Sequence, residues 1–399
     1  MKYALILPDG AADEPIPALN DQTPLQAAKL PHMDWIAANG RVGTVRTVPA
    51  GFVPGSDVAT LSVVGYDVTR CYTGRAPLEA VARRITLEPD ALVFRCNLVT
   101  IADGRMVDFS AGHISQAEAE KLIADLQAAI GSDRIRFYPG VSYRHLMTLR
   151  DADWMKVEAT PPHDIPGEPV GSYLPAGKGS DVIRSIMAKA AEVLENHEVN
   201  QVRRDLGENP ATAIWLWGHG PMPRIEPFRT KFGLTGAGIT GVDLFRGVVL
   251  SAGWRLIEVP GATGYLDTNY KGKGEAAVKA IDEVDIVAVH VEAPDEAGHN
   301  GDVVAKVKAL ERIDELVVGP VLDKLRSLAD WRIMVAPDHP TPCAKRTHTD
   351  TPPPFCMAGR GILPDRATEF NESAAAESDL HIDPGYELME YFLKAGRKG

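Results

Sequence analysis

The sequence predicts an α/β fold: a mostly parallel sheet core with helices on both faces, plus a smaller inserted α/β domain. Three observations lead there. Short apolar runs at 3–7, 286–291 and 332–335 end in polar or turn residues, as buried parallel strands do. In the second half such runs alternate with helical stretches, the pattern of a parallel sheet covered on both faces. The middle of the chain carries more hairpin and turn signals. The 399 residues exceed one ordinary core, so we expect a discontinuous core domain (1–85 and 241–399) and an inserted domain (86–240).

Taken in order, 3–7 is a buried strand closed by Pro8-Asp9-Gly10, and 23–39 reads as short helices broken at Pro31. A second strand spans 42–48. A turn-rich loop, Gly51-Phe52-Val53-Pro54-Gly55-Ser56-Asp57, opens into a helix start at 58–65, and 76–84 is helical. In the middle, 92–101 is a strand and Asp103-Gly104 a hairpin signal before 106–109. Residues 115–130 form an amphipathic helix, with Ser115 as N-cap and Glu118 three positions on, a capping-box spacing. Strands at 134–138 and 143–150, a Pro/Gly-rich loop at 160–175, a helix at 180–197 and a strand at 213–217 complete the insert. Beyond it, helices at 242–252, 274–281 and 303–328 alternate with strands at 255–259, 286–291 and 332–335.

Composition excludes several classes. Lys and Arg total 42 against 54 Asp and Glu, a formal charge of −12, which argues against nucleic acid as the partner because a phosphate backbone needs a basic surface. The apolar start is too short for a signal-peptide core or a membrane span. The irregular spacing of Cys71, Cys96, Cys343 and Cys356 suggests neither disulfides nor a zinc knot and fits a reducing cytoplasm. A small molecule is the expected partner; the sequence does not set the oligomeric state.

In open α/β sheets, ligands bind outside the carboxyl ends of the strands. The strand at 3–7 ends at Asp9. That at 286–291 leads into Asp295 and His299, one helical turn apart. That at 332–335 ends at Asp338-His339, and a later loop carries His348. These carboxylates and imidazoles make two oxygen/nitrogen sites, suited to Mn²⁺ or Zn²⁺ and less to Mg²⁺. Ser56, after Pro54-Gly55, opens a helix whose N–H groups favour anions, and a metal-adjacent hydroxyl is readily deprotonated for attack on phosphorus. Ser56 can otherwise serve as a plain N-cap. A non-catalytic binding protein would leave these potential ligands without a purpose.

These motifs resemble the alkaline phosphatase superfamily and, more closely, the cofactor-independent phosphoglycerate mutases of the archaeal type. The resemblance covers nearly the whole chain and rests on Leu7-Pro8-Asp9-Gly10, Pro54-Gly55-Ser56-Asp57, Tyr72-Thr73-Gly74-Arg75-Ala76-Pro77, Ala293-Pro294-Asp295 through His299, Pro337-Asp338-His339 and Thr347-His348-Thr349. It implies two divalent ions, Mn²⁺ foremost, with Zn²⁺, Co²⁺ or Mg²⁺ as alternatives. One would be held by Asp9, Ser56, Asp338 and His339, the other by Asp295, His299 and His348. It further implies a phosphoserine at Ser56 that carries the phosphoryl group between 3- and 2-phosphoglycerate without bisphosphoglycerate. The insert would hold the glycerate and exclude water, with His113, Arg144, His163, Asp164 and Lys271 as candidates. The longer bacterial mutases use an Asp-Arg pair where this chain reads Tyr143-Arg144-His145, which leaves the base for the 2-hydroxyl open, with Asp164 and His113 as candidates. Trp215-Leu216-Trp217-Gly218, Asp267-Thr268-Asn269-Tyr270 and Val289-His290-Val291-Glu292-Ala293 resemble a bacterial subgroup proposed to act as homoserine kinases. That gives a homoserine-directed phosphotransferase, or a related metallophosphatase, as the alternative reading.

Overall fold

A computed structural model describes residues 1–395. The chain forms two compact units: Met1–Tyr72 together with the residues from Arg224 onward, and Thr73–Pro223. No helix among the described residues is long and apolar enough to cross a membrane, and the four cysteines are free and buried.

Among the described residues fifteen strands occur in chain order: β1 (Lys2–Pro8), β2 (Gly40–Val45), β3 (Leu92–Ala102), β4 (Arg105–Asp108), β5 (Ile135–Val141), β6 (Arg144–Leu149), β7 (Lys156–Glu158), β8 (Ala176–Lys178), β9 (Ala213–Gly220), β10 (Gly236–Ile239), β11 (Arg255–Ile257), β12 (Ile286–Val291), β13 (Trp331–Val335), β14 (Pro354–Gly359) and β15 (His381–Ile382). The first unit is built on an eight-stranded sheet, order β11-β10-β12-β1-β13-β14-β2-β15. Its β11-β10-β12-β1-β13 half is wholly parallel; β14 runs antiparallel to both β13 and β2. The apolar run of β1 is buried from Tyr3 through Pro8, as a central parallel strand must be. Register pairs Pro8 with Val291 and Ile6 with Val335, so β12, β1 and β13 end together and the residues after them emerge at one rim.

Two loops at that rim are pinned by a fully buried ion pair. Lys306 Nζ reaches Asp13 Oδ2 at 2.8 Å, the Ala12 carbonyl at 3.2 Å and the Thr341 carbonyl at 2.9 Å, while Asp13 Oδ2 also accepts the Cys343 N–H. Removing one partner of such a pair leaves an uncompensated buried charge, a cost of about 3–5 kcal/mol. The loops after β1 and β13 are therefore held in fixed relation.

The second unit carries an antiparallel sheet, β4-β3-β6-β5 with β9 on β3, and a small β7-β8 ribbon. Leu92, Phe94, Cys96 and Leu98 of β3 share a core with residues of the helices Gln116–Ile130 and Ser180–Glu195. The capping box read from Ser115 and Glu118 forms reciprocally. The opposite face of β3 is covered by the helix Arg75–Ala82, whose Ala76 and Ala80 pack on Val93.

Three expectations need correction. The unit boundaries fall at 72/73 and 223/224 rather than 85/86 and 240/241. The helix Arg75–Ala82 supplies the second face of β3, and β10 pairs with β11 and β12 in the large sheet. Strand β10 was not anticipated because Gly236-Ala237-Gly238-Ile239 lacks β-branched bulk; its glycines admit side chains that leave no room for a Cβ, which would lie 2.3 Å from Trp254 at Gly236 and 2.2 Å from Val249 at Gly238. The helix expected over 303–328 is broken by a π turn, Asp314–Val318, before Gly319-Pro320. There the Asp314 carboxylate accepts the His32 and Met33 N–H groups and caps the otherwise uncapped helix Pro31–Ala38.

Candidate metal and phosphoryl-transfer site

Seven predicted residues meet at the carboxyl rim of the large sheet, in two clusters. In one, Asp9, Asp338 and His339 are completely buried and their donor atoms lie within 4.8 Å of one another. His339 Nε2 stands 3.4 Å from Asp9 Oδ1, 3.5 Å from Asp338 Oδ2 and 3.1 Å from Ser56 Oγ. In the other, His299 Nε2 lies 3.3 Å from Asp295 Oδ2 and His348 Nε2 lies 3.4 Å from Asp295 Oδ1. The helix Ala293–Asn300 puts Asp295 and His299 on one face and ends at a left-handed Gly301. The His339 and His348 rings, one from each cluster, are 4.2 Å apart between centroids.

The donor set fits divalent ions on three structural grounds. First, Asp9 Oδ1 and Asp338 Oδ2 are buried with no hydrogen-bond partner, an arrangement too costly to persist without a cation or proton. Second, every imidazole in the two clusters is anchored through Nδ1 by oxygen. His299 Nδ1 faces the Arg346 carbonyl (3.1 Å) and His348 Nδ1 the Pro54 carbonyl (3.3 Å). His339 Nδ1 lies 3.3 Å from Thr341 Oγ, whose own proton goes to Asp295 Oδ1. Each Nδ1 therefore donates, and each Nε2 presents a lone pair inward. Third, His299 Nε2 and His348 Nε2 stand 2.9 Å apart. Two lone pairs at that distance require a shared positive charge.

Protonation follows the same logic. Burial, aided by the Asp295 charge, pushes Asp338 up to about 7, and burial with neighbouring carboxylates raises Asp9 well above its ordinary value. Burial also opposes the Asp295 charge, but His299 and His348 outweigh it and hold Asp295 well below its usual range. Burial disfavours the charged His299 ring, yet Asp295 raises it to about 9, whereas burial drives His339 down to about 3.

Gly10 explains the Asp9-Gly10 pair. Its φ is +60°, and a Cβ there would lie 2.6 Å from both Asp295 Oδ1 and Thr341 Oγ, so only glycine lets the loop pass this close. Ser56 is not an N-cap. Gly55 holds that position, and Ser56 is the first residue of the buried helix Ser56–Val63.

The remaining candidates are scattered differently. In the second unit His113 is exposed on a left-handed turn 6.4 Å from the Tyr143 ring, and Arg144 lies 5.5 Å over that ring. His163 packs edge-on to Phe109 and Trp217, beside Asp164, whose carboxyl is raised by the partial loss of solvent on its covered side. Lys271 is a correction: it lies in the first unit on the outer face of the helix Tyr270–Glu283, 3.8 Å from Glu275. Lys273, one turn-face inward, is the buried lysine; it donates to the His290 carbonyl at 3.1 Å, and burial lowers it to about 8.

Sequence reasoning passed over Arg95 and His290 as well. Arg95 is buried on β3, 4.4 Å over the Trp217 ring and 3.2 Å from Glu79, and burial lowers its pKa to about 10. A guanidinium inside the apolar run at 92–101 was the available signal. His290, near the end of β12, contacts Asp9.

A mostly parallel α/β sheet thus gathers two clusters of potential metal ligands beside a helix-initiating serine. The comparisons narrow this. The family model for 2,3-bisphosphoglycerate-independent phosphoglycerate mutase matches residues 37–200. A Methanothrix thermoacetophila protein of that name is 49% identical over 98% of this chain and 100% of that one. A Geobacter sulfurreducens protein carrying the same name as probable is 48% identical over 98% of this chain and all of its own. Among solved structures, a Pyrococcus horikoshii protein superposes with a TM-score of 0.83 at 28% identity, covering 98% of this chain and 96% of that one. The chain belongs to the 2,3-bisphosphoglycerate-independent phosphoglycerate mutase family.

Proposed function

We propose that this chain interconverts 3-phosphoglycerate and 2-phosphoglycerate without bisphosphoglycerate, through a phosphoserine at Ser56. The observation that carries the reading is the Ser56 hydroxyl, 3.1 Å from His339 Nε2, which itself stands 3.4 Å and 3.5 Å from the two unpartnered carboxylate oxygens of Asp9 and Asp338. Asp9, Ser56, Asp338 and His339 would hold one divalent ion, and Asp295, His299 and His348 the other. Ions there, Mn²⁺ by preference, supply Lewis acidity and lower the pKa of the serine hydroxyl.

Ser56 Oγ attacks phosphorus as the bond to the C3 oxygen of 3-phosphoglycerate breaks, and the departing glycerate oxygen takes up a proton. The glycerate reorients, its 2-hydroxyl loses a proton and attacks the phosphoserine, and Ser56 is released. The second unit retains the glycerate between the two transfers and excludes water, since leakage would give hydrolysis. Arg95 and Arg144 suit its carboxylate as bidentate partners, and His113 or Asp164 serves as the base for the 2-hydroxyl.

The test is conversion of 3- to 2-phosphoglycerate with Mn²⁺ and no bisphosphoglycerate, run beside homoserine with ATP. The expected result is 2-phosphoglycerate and no O-phosphohomoserine. Phosphohomoserine formation, or phosphate release alone, overturns the reading. A second expectation separates the basic residues. Arg95→Ala raises KM for phosphoglycerate by about a hundredfold, in line with loss of a charge-assisted contact of ~3 kcal/mol, whereas Lys271→Ala changes kcat and KM less than about twofold. Steady-state kinetics on the two variants decides it.

A further inference from the structure

A third group of potential ligands adjoins Asp9: the donor atoms of Asp9, His290 and Glu292 also fall within 4.8 Å of one another. Its geometry differs from that of the two clusters. Two donors about 2.1 Å from one ion stand roughly 3.0 Å apart at a right angle and roughly 3.4 Å at a tetrahedral one. The carboxylate–imidazole pairs of the two clusters measure 3.3–3.5 Å. His290 Nε2 to Asp9 Oδ2 is 2.7 Å, a direct hydrogen bond.

The direction of that bond is set by Asp9 and carried on to Thr240. The Val242 N–H donates to Thr240 Oγ at 3.0 Å, and Thr240 Oγ lies 3.1 Å from His290 Nδ1. An Asp9 that holds a cation is ionised and can only accept, so Nε2 is the donor there, and the Thr240 hydroxyl, whose oxygen takes the Val242 N–H, gives its proton to Nδ1. The imidazole then carries its own proton on Nε2 and donates it to Asp9 Oδ2. All three residues sit at the carboxyl ends of adjacent strands: Thr240 follows β10, His290 lies near the end of β12, and Asp9 follows β1. Phe245 stacks on the ring at 4.8 Å and 14°, fixing its plane. The charged and titratable groups around it, besides Asp9, are Lys273, bonded to its carbonyl, Glu292, 3.5 Å from Nε2, His339, 3.4 Å from Asp9 Oδ1, and Asp295.

We propose that His290 and Thr240 are positioning residues that make Asp9 a one-oxygen metal ligand: the relay occupies Oδ2 and leaves Oδ1 turned toward His339 and Asp338. This rests on the reading that Asp9 holds an ion. Partners of this kind typically change metal affinity by about 10–100-fold.

The test is Mn²⁺ titration calorimetry of the chelator-treated full-length chain, with thermal unfolding of the same metal-free samples. In His290→Leu, one of the two ions is expected to bind about 10–100-fold more weakly while the other keeps its affinity. His290→Gln, whose amide can donate to Asp9, is expected to recover much of the loss. Thr240→Val, distant from Asp9, should weaken the same ion by several-fold. A purely structural role predicts a lower metal-free Tm with both affinities unchanged, and that result overturns the proposal. If His290→Leu does not fold, unchanged affinities in Thr240→Val overturn it. A third Mn²⁺ equivalent in the wild type that disappears in His290→Leu makes His290 a ligand and overturns it as well. Failure of the wild type to take up Mn²⁺ is a different result, which removes the metal reading itself.

Discussion

Ser56→Ala is expected to lower kcat by about four orders of magnitude or more, the scale on which removing an activated nucleophile acts, with little loss of stability. Both halves follow from the local structure. The helix Ser56–Val63 takes its N-cap from Gly55, and no side chain caps it. Removing the Ser56 hydroxyl therefore forfeits none of the ~1 kcal/mol that a capping serine provides. The backbone stays tied, because Thr60 Oγ donates to the Ser56 carbonyl. What is lost is the single hydroxyl 3.1 Å from the inward lone pair of His339 Nε2. The three other donors of that cluster remain, so two-ion stoichiometry should persist at saturating Mn²⁺. Three measurements check this: steady-state turnover, retention of ³²P on protein quenched during turnover, and metal content. Turnover above a few per cent of wild type, or ³²P retained by the variant, takes the nucleophile role away from Ser56.

What could be read from the sequence depended on how far each residue's role is decided by its neighbours in the chain. Asp9, Asp338-His339 and the Asp295/His299 pair each follow a short apolar run, and parallel strands deliver such residues to one rim whatever the rest of the fold does. Their convergence was therefore accessible, and the register Pro8–Val291 and Ile6–Val335 is its physical basis. His290 was not accessible in the same way. It lies within the apolar run of β12, and only the pairing of β12 with both β10 and β1 brings it between Thr240 and Asp9. Strand β10 itself was hidden because its glycines are dictated by Trp254 and Val249, which are remote from any local pattern. The exposure of Lys271 has a simpler basis. The phase of the helix Tyr270–Glu283 is set by its buried stripe of Tyr270, Lys273, Gly274 and Ala277, and reading that stripe at helical spacing would have turned Lys271 outward. Arg95 shows the converse: a charge inside a strand was visible, but its stacking on Trp217 required the antiparallel pairing of β3 and β9.

Stripping divalent ions with a chelator is expected to abolish activity and lower Tm, and the Tm restored by Mn²⁺ should grow between pH 6.5 and 9. The sign follows from the ion-free protonation states. Asp338 is raised to about 7, chiefly by burial, so the folded chain holds a proton there that the unfolded chain releases near 4. His299 is raised to about 9 by Asp295 against the opposing effect of burial, so its stabilising proton is present below 6.5 and lost as pH rises through 9. In both cases the ion-free fold loses stability with rising pH. The buried rings of His145, His290 and His339, each lowered to about 3 by burial, act the other way, but their contribution is complete once the unfolded imidazoles are neutral near 6.5. Above 6.5 the loss at Asp338 ends by about 7 and that at His299 continues to about 9. An ion held by an ionised Asp338 or a neutral His299 does without those protons, so the loaded protein is spared the loss. Each proton displaced steepens the difference by up to about 1.4 kcal/mol per pH unit, on top of the ~2.7 kcal/mol that one ion at a hundred times its Kd contributes. Paired thermal melts with chelator and with Mn²⁺ at pH 6.5 and 8.5 should therefore differ by several degrees more at the higher pH. An increment that is flat or shrinks across that interval would mean that cations do not displace protons from these two residues, and the pairing of His299 Nε2 with His348 Nε2 would then have to be sustained by a proton alone.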